Sequence, residues 1–409
     1  MQRYSQLFGK TNRESKNFES LNATLLQKAG FINQEMAGVY NFLPLGLRVL
    51  NKIENIVRKE MLKISNEVLL PSLSPKDYWE TTKRIDKIDI LMQTIGANDL
   101  SSKKNTSSYI LNPTHEEIIT PLVKEYISSY KDLPLALFQI QTKFRNEARA
   151  KSGLLRGREF RMKDLYSFHI SLEDLEDYYE KVKQSYFNIF EELGLKDSTI
   201  LVKASGGDFT KDYSDEFQII CENGEDIVFL DKKTNTYYNK EIAKKEIIND
   251  GIKVSEAGNI FILGEKFSKD FNFTLKDKNN KDINIFMGCY GIGTSRIMGI
   301  IAEKFNDDNG LIWPENISPY DYHIISQSED LETETKKIIE QIEKKGKTVL
   351  WDDRTDIHMG EKLSDADLIG ISKRIVISKR SLEKGGVEIK QRNSFDTKIM
   401  TFKEFANSI

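Results

Sequence analysis

Apolar residues recur along this chain at two periods, and each period predicts an element. From Pro44 onward, Leu45, Val49, Ile53, Val57 and Met61 repeat at every fourth position. That spacing lines one face of an α-helix, and proline suits its first position. Val68-Leu69-Leu70-Pro71 reads as a short buried strand stopped by proline. Residues 83–108 are rich in Ser, Asn and Lys and predict a mobile loop. Pro113-Thr114 opens a second helix, with Ile119, Val123 and Ile127 on one face. Its first turn carries Glu116 and Glu117, where the helix dipole favours negative charge. The period then changes to two. Phe138–Phe144 and Glu159–Ser167 alternate as half-buried strands do, and residues 146–157 between them predict an exposed basic hairpin loop. Ser171 with Asp174 caps a long helix that Gly194 ends.

Residues 200–284 read as strands and turns, with one lysine-rich helical piece near 240–248. A strand from Ile283 to Tyr290 and a helix from Ser295 come next. A boundary falls near Trp313–Pro319. Beyond it, strand and helix alternate: 320–326, 330–345, 348–351, 359–370, 374–378, 387–390 and 403–408. That alternation predicts a small mixed α/β domain. At the other end, residues 1–30 read as a polar arm with a helix marked by Leu21, Leu25 and Leu26.

Composition narrows the picture only a little. A length of 409 residues suggests two or three domains. The net charge of −3 gives no whole-chain indication of nucleic acid. Cys221 and Cys289 are too few for a disulfide framework and lack partners at zinc spacing, so no protein-bound zinc is expected. No run approaches ~18 apolar residues, so neither a membrane span nor a signal peptide is expected, and a reducing cytoplasmic compartment fits. Locally the charge is uneven. Residues 143–163 carry 8 Lys or Arg against 2 Glu, and residues 371–403 carry 9 against 3 acids. A charge run is by default a solvated face.

The candidate chemistry lies in two stretches. In Phe144-Arg145-Asn146-Glu147, Arg145 and Glu147 are two apart and, on one strand, would share a face. A guanidinium there suits a carboxylate or phosphate, and a carboxylate suits an exocyclic amine. Phe160 on the neighbouring strand offers a flat surface to a base, and Arg156 and Asp164 complete an Arg-x-x-x-Phe-x-x-x-Asp pattern. Gly288-Cys-Tyr-Gly-Ile-Gly-Thr-Ser-Arg296 puts glycines and an arginine between a strand and a helix. No Gly-Lys-Ser/Thr comes after it, which excludes a P-loop. Met162 and Cys289 are core residues by default, and His115 reads as an exposed helix residue rather than a ligand.

In this order, Phe-Arg-x-Glu, Arg-x-x-x-Phe-x-x-x-Asp and Gly-x-Gly-x-x-Arg resemble motifs 2 and 3 of class II aminoacyl-tRNA synthetases. Pro44–Pro71 is similar to motif 1. Asn112-Pro-Thr-His-Glu-Glu117, Arg158–His169, Met287–Gly293, Asp352-Asp-Arg354 and Ala366–Ile371 resemble the bacterial-type prolyl-tRNA synthetase family. Ser372 departs from it, since the family usually has proline there. The resemblance implies an α+β fold, an antiparallel sheet flanked by helices over residues 1–315 with a mixed α/β anticodon-binding domain over 316–409. Motifs 1, 2 and 3 then fall at about 44–71, 138–169 and 284–303. It implies activation of proline with ATP and Mg²⁺ and transfer to tRNA(Pro) by a homodimer. Arg145 and Arg296 would be catalytic. Thr114, Glu116, Arg145, Met162, Asp164, His169, Phe209 and Cys289 would hold proline, and Arg145, Glu147, Arg156, Phe160 and Arg296 would hold ATP. Arg149 would meet the acceptor end of tRNA, and Asp353 and Arg354 the anticodon.

Many bacterial members carry a large editing insertion between motifs 2 and 3. The interval here leaves room only for a short remnant near 224–257, so editing of alanyl-tRNA is expected to be absent or supplied in trans by a separate protein. A threonyl enzyme would need a zinc site, and a histidyl enzyme its own arginine-containing loop. A non-catalytic relative typically loses one of the motif arginines, and this chain keeps Arg145 and Arg296.

Overall fold

The fourfold apolar repeat forms α1 (Pro44–Met61) in the computed structural model of the chain, which describes residues 1–105, 107–150, 152–207, 209–210, 213–248 and 250–409. Lys151 of the basic run lies outside them. Leu45, Val49, Ile53, Val57 and Met61 are all buried, each contributing ~1.5–3 kcal/mol relative to exposure. The strand after it, β1 (Asn66–Glu67), comes earlier than Val68–Pro71. Leu69 is 76% exposed, so the expectation of a buried strand there is corrected. The reason is position: β1 is an edge strand, and its chain leaves the sheet after Val68 donates to the Phe138 carbonyl.

Residues 83–108 are also more ordered than their composition predicts. After α2 (Lys76–Thr81) they hold a strand, Met92–Thr94, and a helix, Asp99–Lys104, whose first turn Asn98 caps. The strand pairs with Tyr109–Leu111, which also pairs with Leu73–Pro75. Short polar elements of this kind owe their order to backbone pairing, which leaves no apolar period to read.

The larger sheet and its helices occupy most of residues 116–304. In chain order come α3 (Glu116–Tyr126), β2 (Leu135–Phe144), β3 (Glu159–His169), α4 (Leu172–Glu192), β4 (Thr199–Ser205), β5 (Tyr213–Ile220), β6 (Asp226–Asp231), β7 (Thr236–Asn239), β8 (Ile252–Gly264), β9 (Phe286–Ile292) and α5 (Thr294–Lys304). The strands lie in the order β5-β4-β7-β6-β8-β9-β3-β2-β1, with β5 also paired to β8. Pairing is antiparallel except for β1–β2 and β4–β7. Residues 224–257 supply β6, β7 and the start of β8, so this interval is woven into the sheet.

Two compact units divide the chain: Ala37–Val39 with Ile53–Ile300, and Met1–Met36 and Tyr40–Lys52 with Ile301–Ile409. The second contains β10 (Tyr322–Ser326), α6 (Glu332–Lys344), β11 (Val349–Asp352), α7 (Met359–Ile369), β12 (Lys373–Ile377), α8 (Lys379–Glu383), β13 (Gly386–Gln391), β14 (Thr397–Thr401) and α9 (Phe402–Ser408). Its sheet runs Gln2–Arg3, β11, β10, β12, β13, β14. Sequence periodicity misses the strand Gln2–Arg3, the short α8 and the largely exposed β14 of this sheet and its helices.

Candidate active site

Strand alternation gives β3 two distinct faces. Arg161 and Lys163 point to one: Arg161 makes a two-pronged pair with Glu54 on α1, and Lys163 Nζ donates to Tyr186 Oη on α4. Phe160, Met162, Asp164 and Tyr166 point to the other. Register then assembles a site. Gln139 on β2 and Gly291 on β9 stand opposite Asp164, and Cys289 stands opposite Tyr166. On β8, Asn259 faces Gly291 and Phe261 faces Cys289. Of these, Met162, Asp164, Asn259, Phe261, Cys289 and Gly291 line, with Thr114, Arg145 and Phe209, a cavity of about 240 Å³.

Beneath the cavity lies a buried polar network. Lys143 Nζ is 2.7 Å from Asp164 Oδ1, and Gln139 Nε2 donates to Asp164 Oδ2 at 2.9 Å. Burial opposes the Asp164 charge, but Lys143 and then His115 outweigh it and hold this carboxyl below its usual range. His115 is fully buried, not an exposed helix residue. Its Nε2 is 3.0 Å from the Pro71 carbonyl, which only accepts, so Nε2 carries the proton and Nδ1 accepts from Lys143 Nζ at 2.6 Å. Burial, with Lys143 adding to it, lowers the imidazole to about 4. The correction has a simple cause. His115 is the residue before α3, turned in toward the sheet, and helical face counting does not apply to it.

Glu116 closes one side. Its Oε2 accepts from Thr114 Oγ1 at 2.6 Å and from Arg84 Nη1 at 3.3 Å. Its Oε1 is buried and has no partner. A buried carboxylate oxygen without a donor is costly and marks where a ligand N–H belongs. The Cys289 thiol is pushed well up by burial and then by Glu116, so it stays protonated. Met162, Cys289, Phe209 and Phe261 supply apolar wall.

A second, polar cavity of about 210 Å³ shares Arg145, Glu256 and Arg296 with the first and adds Glu147, Arg156 and Asp226. Arg156 Nε donates to Glu147 Oε2 at 2.7 Å. Arg296, in the first turn of α5, donates from Nη1 to Glu256 Oε2 at 2.7 Å. Arg145 stacks its guanidinium 5.1 Å from the Phe160 ring centre, and its Nε has no partner. Burial and then Arg296 work against the Arg145 charge. Two guanidiniums pressed together in this way attract an anion. The shared-strand reading of Arg145 and Glu147 is corrected, because β2 ends at Phe144 and both residues lie in the loop beyond it. Backbone bonds do the aligning instead: Arg145 N–H donates to Arg158 O at 2.9 Å.

Glu216, Glu256 and Asn259, like Gln139 and Phe261, escape the sequence patterns. The pairing of β5 with β8 slips at Ala257, so Phe217 faces Gly258 while Gln218 faces Glu256. That bulge turns Glu256 onto the same face as Asn259. Asn259 Nδ2 donates to Glu216 Oε1 at 3.2 Å. Burial and then Glu256 push Glu216 up to about 8. Burial also opposes the charge of Glu256, but Arg296 and then Arg145 keep it below the usual range.

Not every expected residue reaches the site. His169 is on the α4 face of β3, odd-numbered where the pocket residues are even. Its Nδ1 is 2.9 Å from Asp174 Oδ2, and its ring packs on Tyr178. The proline-pocket assignment of His169 is therefore corrected. Arg149 is exposed, as expected of a loop contact. In the other unit the Arg354 fork is taken up by Asp352 and Asp365 over the Tyr4 ring. Asp353 accepts from the Ser5 backbone and hydroxyl. Arg354 thus holds its own loop. Ser372 is buried, with its N–H toward Ser318 Oγ.

Residues 99–305 match the family model of the tRNA synthetase class II core domain (G, H, P, S and T), and residues 321–409 match the anticodon binding domain. The proline–tRNA ligase of Wolbachia sp. subsp. Drosophila simulans is 36% identical over 403 residues, 93% of this chain and 92% of that protein. That of Agrobacterium fabrum is 34% identical over 430 residues, 96% of each. Among solved structures, Giardia lamblia prolyl-tRNA synthetase in complex with prolyl-adenylate superposes with a TM-score of 0.79 at 21% identity, covering 98% of this chain and 78% of that one. The Cryptosporidium parvum enzyme complexed with L-proline and AMP gives 0.76 at 19% identity, covering 95% and 73%. These two share the fold.

Proposed function

This chain belongs to the proline–tRNA ligases, within the class II aminoacyl-tRNA synthetases, and from that membership we propose how its residues divide the work. The enzyme joins proline to tRNA at the expense of ATP. Proline sits in the 240 Å³ cavity, its ring against Met162, Cys289 and Phe209. Its protonated imino nitrogen donates to the open Glu116 Oε1 and lies beside Thr114, and its carboxylate meets Arg145. The unpartnered, buried Glu116 Oε1 next to an apolar wall is the observation that carries this reading. Asp164 acts one layer below, keeping the pocket floor charged and ordered through Lys143 and Gln139.

ATP occupies the polar cavity. Adenine lies against Phe160, with its amine toward Glu147. Arg156 and Arg296 flank the phosphates, and Arg145 spans the two substrates. A proline carboxylate oxygen attacks the α-phosphorus in line, a new P–O bond forms, and pyrophosphate leaves with the bonding pair. No side chain takes part covalently, so the rate comes from positioning and charge neutralisation. Magnesium fits here as well. Glu216 and Glu256 are all-oxygen donors, and Mg²⁺ takes one or two carboxylates together with phosphates and water. Bound there, the ion would neutralise phosphate charge.

A terminal tRNA ribose hydroxyl then attacks the prolyl-adenylate, with Arg149 near the acceptor end and the basic surface of residues 371–403 near the anticodon arm. The likeness of Pro44–Pro71 to motif 1 supports a homodimer, working in the cytoplasm. Amino-acid-dependent ATP–pyrophosphate exchange tests the reading. Proline should drive it far better than histidine, threonine, serine or glycine, and no exchange with proline would defeat it.

A further inference from the structure

Arg84 lies in the stretch whose composition predicts a mobile loop, yet its side chain is 1% exposed. It sits just beyond α2, held by a bond from its own N–H to the Trp79 carbonyl. The guanidinium packs 4.7 Å from the centre of the Phe209 ring and 5.3 Å from that of Phe267. One nitrogen serves two carboxylates. Arg84 Nη1 donates to Glu117 Oε1 and Oε2 at 2.9 and 3.0 Å and to Glu116 Oε2 at 3.3 Å. Thr82 Oγ1 completes the Glu117 shell at 2.9 Å.

From this arrangement we infer that Arg84 is the positioning residue of the amino-acid pocket: it ties down two adjacent buried carboxylates, so that Glu116 keeps one oxygen open for the substrate nitrogen. The inference rests on the proposed role of Glu116 and adds the residue on which that role depends. Adjacent carboxylates with no cation between them cannot both stay charged in a dry site. Around Glu116 the other charged or titratable groups are His115, Lys143, Arg145, Asp164, Tyr166 and Cys289. Lys143 and Asp164 are paired with each other, and Arg145 lines both cavities. Glu117 itself faces Thr82 and Arg84. Remove Arg84, and Glu116 and Glu117 face each other with no cation between them. Glu116 then holds a cationic imino group less well, while the ATP contacts stay in place.

The test compares Arg84→Met with Arg84→Met/Glu117→Gln in proline-dependent ATP–pyrophosphate exchange. The single variant should raise KM for proline by about tenfold or more, the usual cost of losing a charge-assisted hydrogen bond in a buried site. KM for ATP should stay within about twofold. Glu117→Gln removes the competing charge, so the double variant should recover most of the lost proline affinity. If Arg84 only fills space against Phe209 and Phe267, the second change would not help, and an unrecovered KM overturns the inference. An unchanged KM in Arg84→Met overturns it too. Should Arg84→Met not accumulate folded, Arg84→Gln keeps a donor without the charge and carries the same comparison. Exchange that is absent in the unaltered enzyme would instead defeat the functional reading, and this inference with it.

Discussion

Arg145 is the residue on which both cavities depend. It lines each of them, has a free Nε, and is crowded by Arg296. Arg145→Ala should therefore reduce proline-dependent exchange by at least ~10²–10³-fold, the usual cost of one preorganised charge-stabilising group, while leaving the melting temperature close to that of the unaltered enzyme. Two histidines make a separate prediction. His115 and His323 are both buried and lowered to about 4, His323 chiefly by burial with both ring nitrogens unpartnered. Between pH 6.5 and about 4 the unfolded chain binds protons that the folded chain does not, so stability falls as pH falls through that window. Each histidine should contribute up to ~3 kcal/mol to the loss. Urea midpoints at about pH 7 and about pH 5, on either side of the unperturbed histidine value, measure it, and His323→Leu should flatten the dependence of its unit. Equal midpoints at the two values would contradict the assignment. Most of the contact residues were legible in the sequence because motif register gives them away. His169 was misread because register along a strand also carries parity, and its odd position puts it on the helix side. Glu256 was invisible because a bulge changes parity without changing the sequence pattern.

At the scale of elements, the sheet places the chemistry and the loops aim it. β2, β3, β8 and β9 bring Gln139, Asp164, Asn259 and Cys289 to one face by pairing register alone. Arg145 and Glu147, by contrast, are set by the loop that closes onto Arg158. The end of α2 carries a local strain that can be relieved. Lys83 comes just after the helix with φ +56°, the left-handed region where glycine is preferred, and it is exposed. Lys83→Gly should accordingly stabilise the enzyme by ~0.5–1 kcal/mol, or be neutral where chain entropy offsets the relief. Thermal or urea unfolding reads the change, and a loss above ~1 kcal/mol would mean that Lys83 has a contact of its own. Because Arg84 is the next residue, exchange activity should be unaffected.

At the scale of the molecule, the interval between α4 and β9 belongs to the catalytic sheet. Its strands β4 to β8 all enter the main sheet, and the site they build needs Glu216 and Glu256 from them. A cavity sized for proline discriminates poorly against smaller alanine, since each missing methylene is worth only ~1–3 kcal/mol. Measurable alanine activation is therefore expected, and preformed alanyl-tRNA(Pro) should survive incubation with the pure enzyme. Rapid hydrolysis to alanine and tRNA would refute this expectation.

Spacing along the chain was enough for the elements with a strong period: α1, α4, the β2–β3 hairpin and the alternation after residue 320; Met162 and Cys289 were pointed to only by the resemblance to ordered motifs. Spacing suffices for those elements because side-chain direction repeats every two or 3.6 residues. Folding in three dimensions had to supply the charge state of the pocket floor, the turn of Glu256 through a bulge, the burial of His115, and the bond between Arg84 and the Glu116–Glu117 pair. Each of these depends on which groups meet once the chain has folded. Desolvation and Coulomb energy are set by distance in space, and Arg84 stands 32 and 33 residues from the two carboxylates it ties down.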